Sequence, residues 1–215
     1  GLVGYADSST ITNSYATGEV TGVDYYTGGL VGSAESSTIT NSYATGEVTC
    51  TGNYYTGGLV GLAKGSTTIT NSYATGSVSS VDYYTGGLVG LANGSTIIKD
   101  SYATGKVTGK SSTGGLVGRA NGSTKITNSY ATGSVTGTGS YTGGLVGYAN
   151  ESITITNSYA TGSVSGKDYT GGLVGRTANS TKITNSYATG SVTGKKHVGG
   201  LVGYADYSTI TNSYA

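Results

Sequence analysis

The chain has one histidine, His197, set in Lys195-Lys196-His197. A Ser-His-Asp triad would need that imidazole held by a buried carboxylate. No neighbouring acid has a reason to be buried, so His197 reads as a solvated loop residue. The single cysteine, Cys50, has no partner for an internal disulfide and no histidine beside it for a metal site, and it reads as a structural thiol. Asp24, Asp82 and Asp168 recur ahead of tyrosine, but Asn53 or Ser140 takes their place in other repeats. Stacked carboxylates there could touch calcium; solvated loop acids are the simpler reading. Segments such as TGGLVG invite a phosphate-loop reading, yet the G-x-G-x-x-G spacing and a closing Lys-Ser/Thr pair are both missing. Their glycines read instead as bends and close-packing points. The expectation is a chain with no catalytic residues, no metal site and no cofactor.

Four sequons, at Asn93, Asn121, Asn150 and Asn179, matter only in a host that glycosylates them. What remains are two repeated surfaces. Tyr25, Tyr26, Tyr54, Tyr55, Tyr83, Tyr84, Tyr141 and Tyr169 occupy a loop of variable length, where stacking would align them into a stripe. A tyrosine stripe could hold sugars or pack against another filament, because the ring is apolar and its hydroxyl polar; equally, it could cover a corner of the core. A Thr-x-Thr row runs through Thr10/Thr12, Thr38/Thr40, Thr68/Thr70, Thr154/Thr156 and Thr209/Thr211, interrupted by Lys99, Lys125 and Lys182. An uninterrupted row of this kind would suit ice; an interrupted one suits a solvated strand face.

The elements that carry these residues follow from the repeat. The octet ITNSYATG runs from Ile11 to Gly18 and returns five times verbatim, once as IKDSYATG at 98–105 and once shortened at 210–215. Taking GLVG as the start, the units are 1–28, 29–57, 58–86, 87–114, 115–143, 144–171, 172–199 and a truncated 200–215. They form one domain, 1–215, without linkers. Length varies only between GLVG and the octet and again after the valine that follows the octet, which marks two loops.

Glycine makes up 40 of the 215 residues, Pro, Phe, Met and Trp are absent, and the rest is rich in Thr, Val, Ile and Tyr. Glycine inside every apolar stretch opposes helix, and Thr-Ile-Thr alternation supports a strand with Ile inward. One unit has only about five apolar residues to bury (Leu2, Ala6, Ile11, Tyr15 and Val20 in the first), too little to offset roughly 1.5 kcal/mol of ordering per residue. Stacked units share a continuous core. The predicted fold is all-β: a parallel β-solenoid with one 28–29-residue coil per repeat, about three short strands per coil and right-handed winding. At roughly 4.8 Å per coil the rod would be near 36 Å long.

The octet itself contains a break in the in–out alternation, with two candidate places. If Asn-Ser forms the corner, the tyrosine points outward and asparagines form a ladder. If Thr-Gly forms it, Ile, Asn and Tyr share the inner face. The second placement is favoured here.

The recurring Gly-Gly-Leu-Val-Gly followed by Asn-Ser-Tyr-Ala-Thr-Gly-x-Val resembles the GLUG-motif repeat across the whole chain. Such repeats occur in large bacterial surface and secreted proteins, including adhesin-like proteins and non-catalytic regions of some IgA-cleaving metallopeptidases. The resemblance implies an extracellular structural scaffold and supplies no active site. The expected role is an adhesin-like rod or stalk, or a fibre subunit joined head to tail through open coil edges. Possible partners are further repeats, glycans or surface proteins. Eleven basic against ten acidic residues give a net charge of +1, which argues against nucleic acid and against an electrostatic grip on membranes. No apolar run is long enough to insert in a bilayer. A carbohydrate-active enzyme would require clustered acids on one face, and the carboxylates are scattered.

Overall fold

The computed structural model describes every residue except Asn53, the second repeat's counterpart of Asp24, which lies outside the described residues. The first coil contains β1 (Val3–Asp7), β2 (Thr10–Thr12), β3 (Tyr15–Ala16), β4 (Val20–Gly22) and β5 (Tyr25–Gly28), and later coils repeat the series. Each strand pairs in parallel with its counterparts above and below. Among the described residues this builds five sheets, of eight, eight, seven, seven and seven strands in coil order. Register is kept by residue type: Val31 pairs Val60, Ile39 pairs Ile69, Tyr43 pairs Tyr73 and Val48 pairs Val78. The parallel β-solenoid is as predicted, but with five strands per coil rather than about three.

The additional strands come from two places. The octet divides into β2 and β3 at its asparagine. The tyrosine segment that reads as a loop is itself a strand, β5, and the length changes fall in the turn before it. Tyr and Thr in that segment favour a strand, but the length changes next to it make it read as loop.

Leu30, Val31, Ala34, Ile39 and Ala44 of the second coil are buried in a core that continues through their counterparts in the other interior coils. The valine of β4 is also buried, at Val48, Val78, Val107, Val135 and Val164. Of the five positions expected inside, four are as predicted and the tyrosine is not.

The parity break lies at Asn-Ser, which corrects the favoured Thr-Gly corner. All eight octet Asn or Asp residues, from Asn13 to Asn212, have φ between 47° and 50°. Asn and Asp visit this left-handed region more readily than other non-glycine residues. A single such residue turns the chain and exchanges inside for outside. Serine therefore points inward: Ser42 is buried, its N–H donates to Ser72 Oγ at 3.2 Å, and its own hydroxyl donates to the Thr40 carbonyl at 2.8 Å. The same pair of bonds recurs at Ser72, Ser101, Ser129, Ser158 and Ser186. The inner polar column is thus fully satisfied, and Ala44 rather than Tyr43 faces the core.

The last glycine of GLVG has a steric reason. β5 folds back against β1, and their backbones meet with no side chain between them. A Cβ at Gly61 would lie 2.6 Å from the Gly32 carbonyl oxygen and 2.8 Å from the Thr27 nitrogen. Both are main-chain atoms and cannot swing away.

Candidate functional site

Two columns of aromatic rings run along the rod. On β3, Tyr15, Tyr43, Tyr73, Tyr102, Tyr130, Tyr159, Tyr187 and Tyr214 form one unbroken stack. Centroids are 4.9–5.2 Å apart and planes within 8° of parallel. The rings lie on the outside of the coil, half-buried by one another and exposed at the outermost coils. Burial, and next the neighbouring phenols, raise the hydroxyl pKa of Tyr102, Tyr130 and Tyr159 above the ordinary 10.0.

The second column is on β5 and contains the tyrosines singled out from the sequence. Tyr26, Tyr55 and Tyr84 stack in succession at 5.5 and 5.2 Å, and Tyr25 stacks on Tyr54 at 5.3 Å. Tyr83 is exposed beside Tyr84. Tyr141 stacks on Tyr169 at 5.3 Å, and His197 continues that stack at 4.8 Å. The eight tyrosines therefore form two groups, divided where Ser112 stands between Tyr84 and Tyr141. His197 is exposed, as expected, but serves as the next ring of the column rather than as a free loop side chain.

The residues missed by sequence reasoning are those at the variable place in GLVGxA. In the last four coils this place holds Arg119, Tyr148, Arg176 and Tyr204, in mutual register on the β1 sheet. The Arg119 guanidinium lies 5.2 Å from the Tyr84 ring and 5.0 Å from the Tyr148 ring, and donates to the Tyr84 hydroxyl at 2.8 Å. It joins the β5 column to the β1 sheet, one coil beyond the place where Ser112 interrupts the rings. Arg176 lies 5.4–5.8 Å from the rings of Tyr141, Tyr148, Tyr169 and Tyr204. In the third and fourth coils the same place holds Leu62 and Leu91, both 5 % exposed. The alternation of Arg and Tyr at one repeat position is visible in the sequence once the units are aligned.

Ring orientation determines what this surface offers. On β3 each interior ring has both faces covered by rings of adjacent coils, so that column turns its edges and hydroxyls outward. On β5 the cover is partial, and Tyr83 is exposed with no ring of another coil stacked on it among the described residues. Flat stacking of a sugar on an open tyrosine face, the mode a tyrosine stripe suggests, is unavailable within the stacks.

Asp24 is exposed and Asp168 half-exposed, but Asp82 is buried at 7 % exposure, with Lys110 Nζ 4.0 Å from its Oδ1. That corrects the solvated-acid reading for one of the three. No group of three or more His, Cys, Asp or Glu side chains gathers among the described residues. Cys50 is buried, its Sγ 3.7 Å from the Gly52 carbonyl oxygen. Asn93, Asn121 and Asn150 each follow one of three mutually paired alanines, whereas Asn179 lies one residue beyond the Asn150–Ala178 pair and donates to Asn150 Oδ1 at 3.1 Å. The Thr-x-Thr row faces outward on β2, with Ile97, Lys99, Lys125 and Lys182 exposed within it.

The GLUG-motif family model matches residues 1–21, 24–49, 52–79, 82–108, 109–136, 138–165, 168–193 and 194–215. The chain belongs to the GLUG-motif family. The eight matches follow the same repeat at a different phase, running from the turn before β5 through the octet. Searches against curated proteins and against solved structures return no match. GLUG coils here form a structural repeat module, in which the residues constant between units stack in register along the rod.

Proposed function

We propose that this module is a rod segment of an extracellular bacterial surface protein, an adhesin-like stalk that holds other parts of the chain away from the cell and has no catalytic step of its own. The supporting observation is the unbroken register of five parallel sheets, reinforced by the Ser and Tyr columns along the same axis. Every coil is braced by its neighbours through main chain, core and surface at once, which suits an element that carries load along its length. Antibody raised against the chain should label intact cells of the producing organism. Labelling only after permeabilisation would overturn the surface reading.

End-to-end association is the second reading. The outer edges of the first and last coils leave the ladder positions Leu2 and Tyr15, and Ile210 and Tyr214, exposed. These positions pair with a neighbouring coil elsewhere in the rod, and an exposed sheet edge is a template for further pairing. In a longer array the next repeat would cover them; in a fibre a second copy would. Concentration-dependent growth in light scattering, with particles lengthening at constant width, would support the fibre. A monodisperse monomer would exclude it.

A further inference from the structure

The net charge of +1 conceals a division along the rod. Residues 1–105 contain two basic and seven acidic side chains, net −5, whereas residues 106–215 contain nine basic and three acidic, net +6. Part of the basic excess lies along one edge. Lys110, Lys167, Lys195 and Lys196 are exposed in the turn before β5 or at its start. Arg119 and Arg176 reach the β5 rings from the β1 sheet, Arg176 Nη2 also lying 4.0 Å from Asp206 Oδ2. The main chain stacks these turns directly, since Lys195 N–H donates to the Lys167 carbonyl at 2.7 Å. Among the described residues Lys167, Lys195 and Lys196 take part in no ion pair.

We propose that this edge of the C-terminal coils binds a linear acidic polysaccharide, one bearing uronic-acid carboxylates, laid along the rod axis. Three observations favour that occupant. The turn lysines stand in coils four, six and seven and the guanidinium groups on β1 of coils five and seven, so the charges are one or two coil spacings of about 4.8 Å apart, close to the advance of one or two sugar rings. The neighbouring columns present hydroxyl edges and guanidinium donors, which suit carboxylates and sugar hydroxyls. Tyr169 has both faces covered, by Tyr141 and His197, so along this edge a nucleic-acid base finds an open ring face only at the exposed end of the stack. A second copy of this chain is a poorer match: on the same edge the acidic half offers Asp24 and Asp82, and Asp82 is buried next to Lys110.

The proposal is independent of the stalk reading, since the edge would bind wherever the rod is located. Affinity electrophoresis of the full chain through gels containing polygalacturonate or dextran tests it. Retardation is expected by polygalacturonate alone, and it should vanish in 1 M salt, where screening acts within about 3 Å. The triple variant Lys167→Gln/Lys195→Gln/Lys196→Gln should weaken binding by about tenfold or more. Lys125→Gln/Lys182→Gln, on the β2 face, should leave it within about twofold. All five lysines are exposed, and an unchanged far-UV circular dichroism spectrum would confirm that the variants fold. Absence of retardation at low salt would overturn the proposal, as would equal retardation by dextran or an equal loss in the two variants. Tighter binding of polyuridylate would replace the saccharide with nucleic acid. Dimerisation abolished by the triple variant would replace it with a second copy.

Discussion

Thr113 shows how one buried atom can work against the fold. Its hydroxyl is buried without a hydrogen-bond partner, as are those of Thr56, Thr85, Thr142 and Thr170 in the same β5 column. An unsatisfied buried hydroxyl costs roughly 1–3 kcal/mol, and the next place in the column already holds Val198. Thr113→Val should therefore leave stability unchanged or raise it by about 1 kcal/mol in a urea titration; a clear loss would reveal a hidden partner. The octet asparagine makes the opposite case, because its backbone conformation matters most. Asn71 is exposed with φ 47°. Asn71→Ala should cost about 1 kcal/mol through left-handed strain, and Asn71→Gly appreciably less. Equal losses from the two would place the cost in the asparagine side chain.

At the scale of the element, the β3 column links alkaline titration to folding. Burial holds Tyr102, Tyr130 and Tyr159 protonated beyond the ordinary pKa of 10.0. The folded state therefore keeps protons that the unfolded chain releases. Stability from this source is complete below pH 10 and is lost as pH rises through the folded pKa values. Phenolate absorbance followed against pH should show these tyrosines ionising late, with loss of the β spectrum in the same range. Ionisation complete near pH 10 with the sheets intact would contradict the stacking.

For the whole molecule, nearest-neighbour stacking makes the repeat the unit of stability. Deleting 58–86 joins Gly57 to Gly87 in the same phase, so coil two would meet coil four with every column in register. The shortened chain should keep the same far-UV spectrum, lose roughly 4.8 Å of length in solution scattering and melt at a lower temperature. Loss of the β spectrum would show that the coils are not interchangeable. The charge division also belongs to this scale, since the average over 215 residues hides it while the two halves display it.

Periodicity alone was enough for the solenoid, the coil length, the inward Leu, Ile and Val and the place of the length changes, because a repeat that cannot bury its apolar face must stack. The direction of the octet tyrosine was not legible. An octet with so little variation has no substitution pattern to distinguish inside from outside, and the turn at Asn13 depends on a φ angle that its neighbours do not announce. β5 was hidden as well: its Tyr and Thr favour a strand, but the length changes in the turn just before it made the whole segment read as loop. The Tyr141, Tyr148 and Arg176 cluster joins residues from β5 and β1 of successive coils. Alignment of the units shows which residues share a column, but only the folding of β5 against β1 sets the two columns side by side.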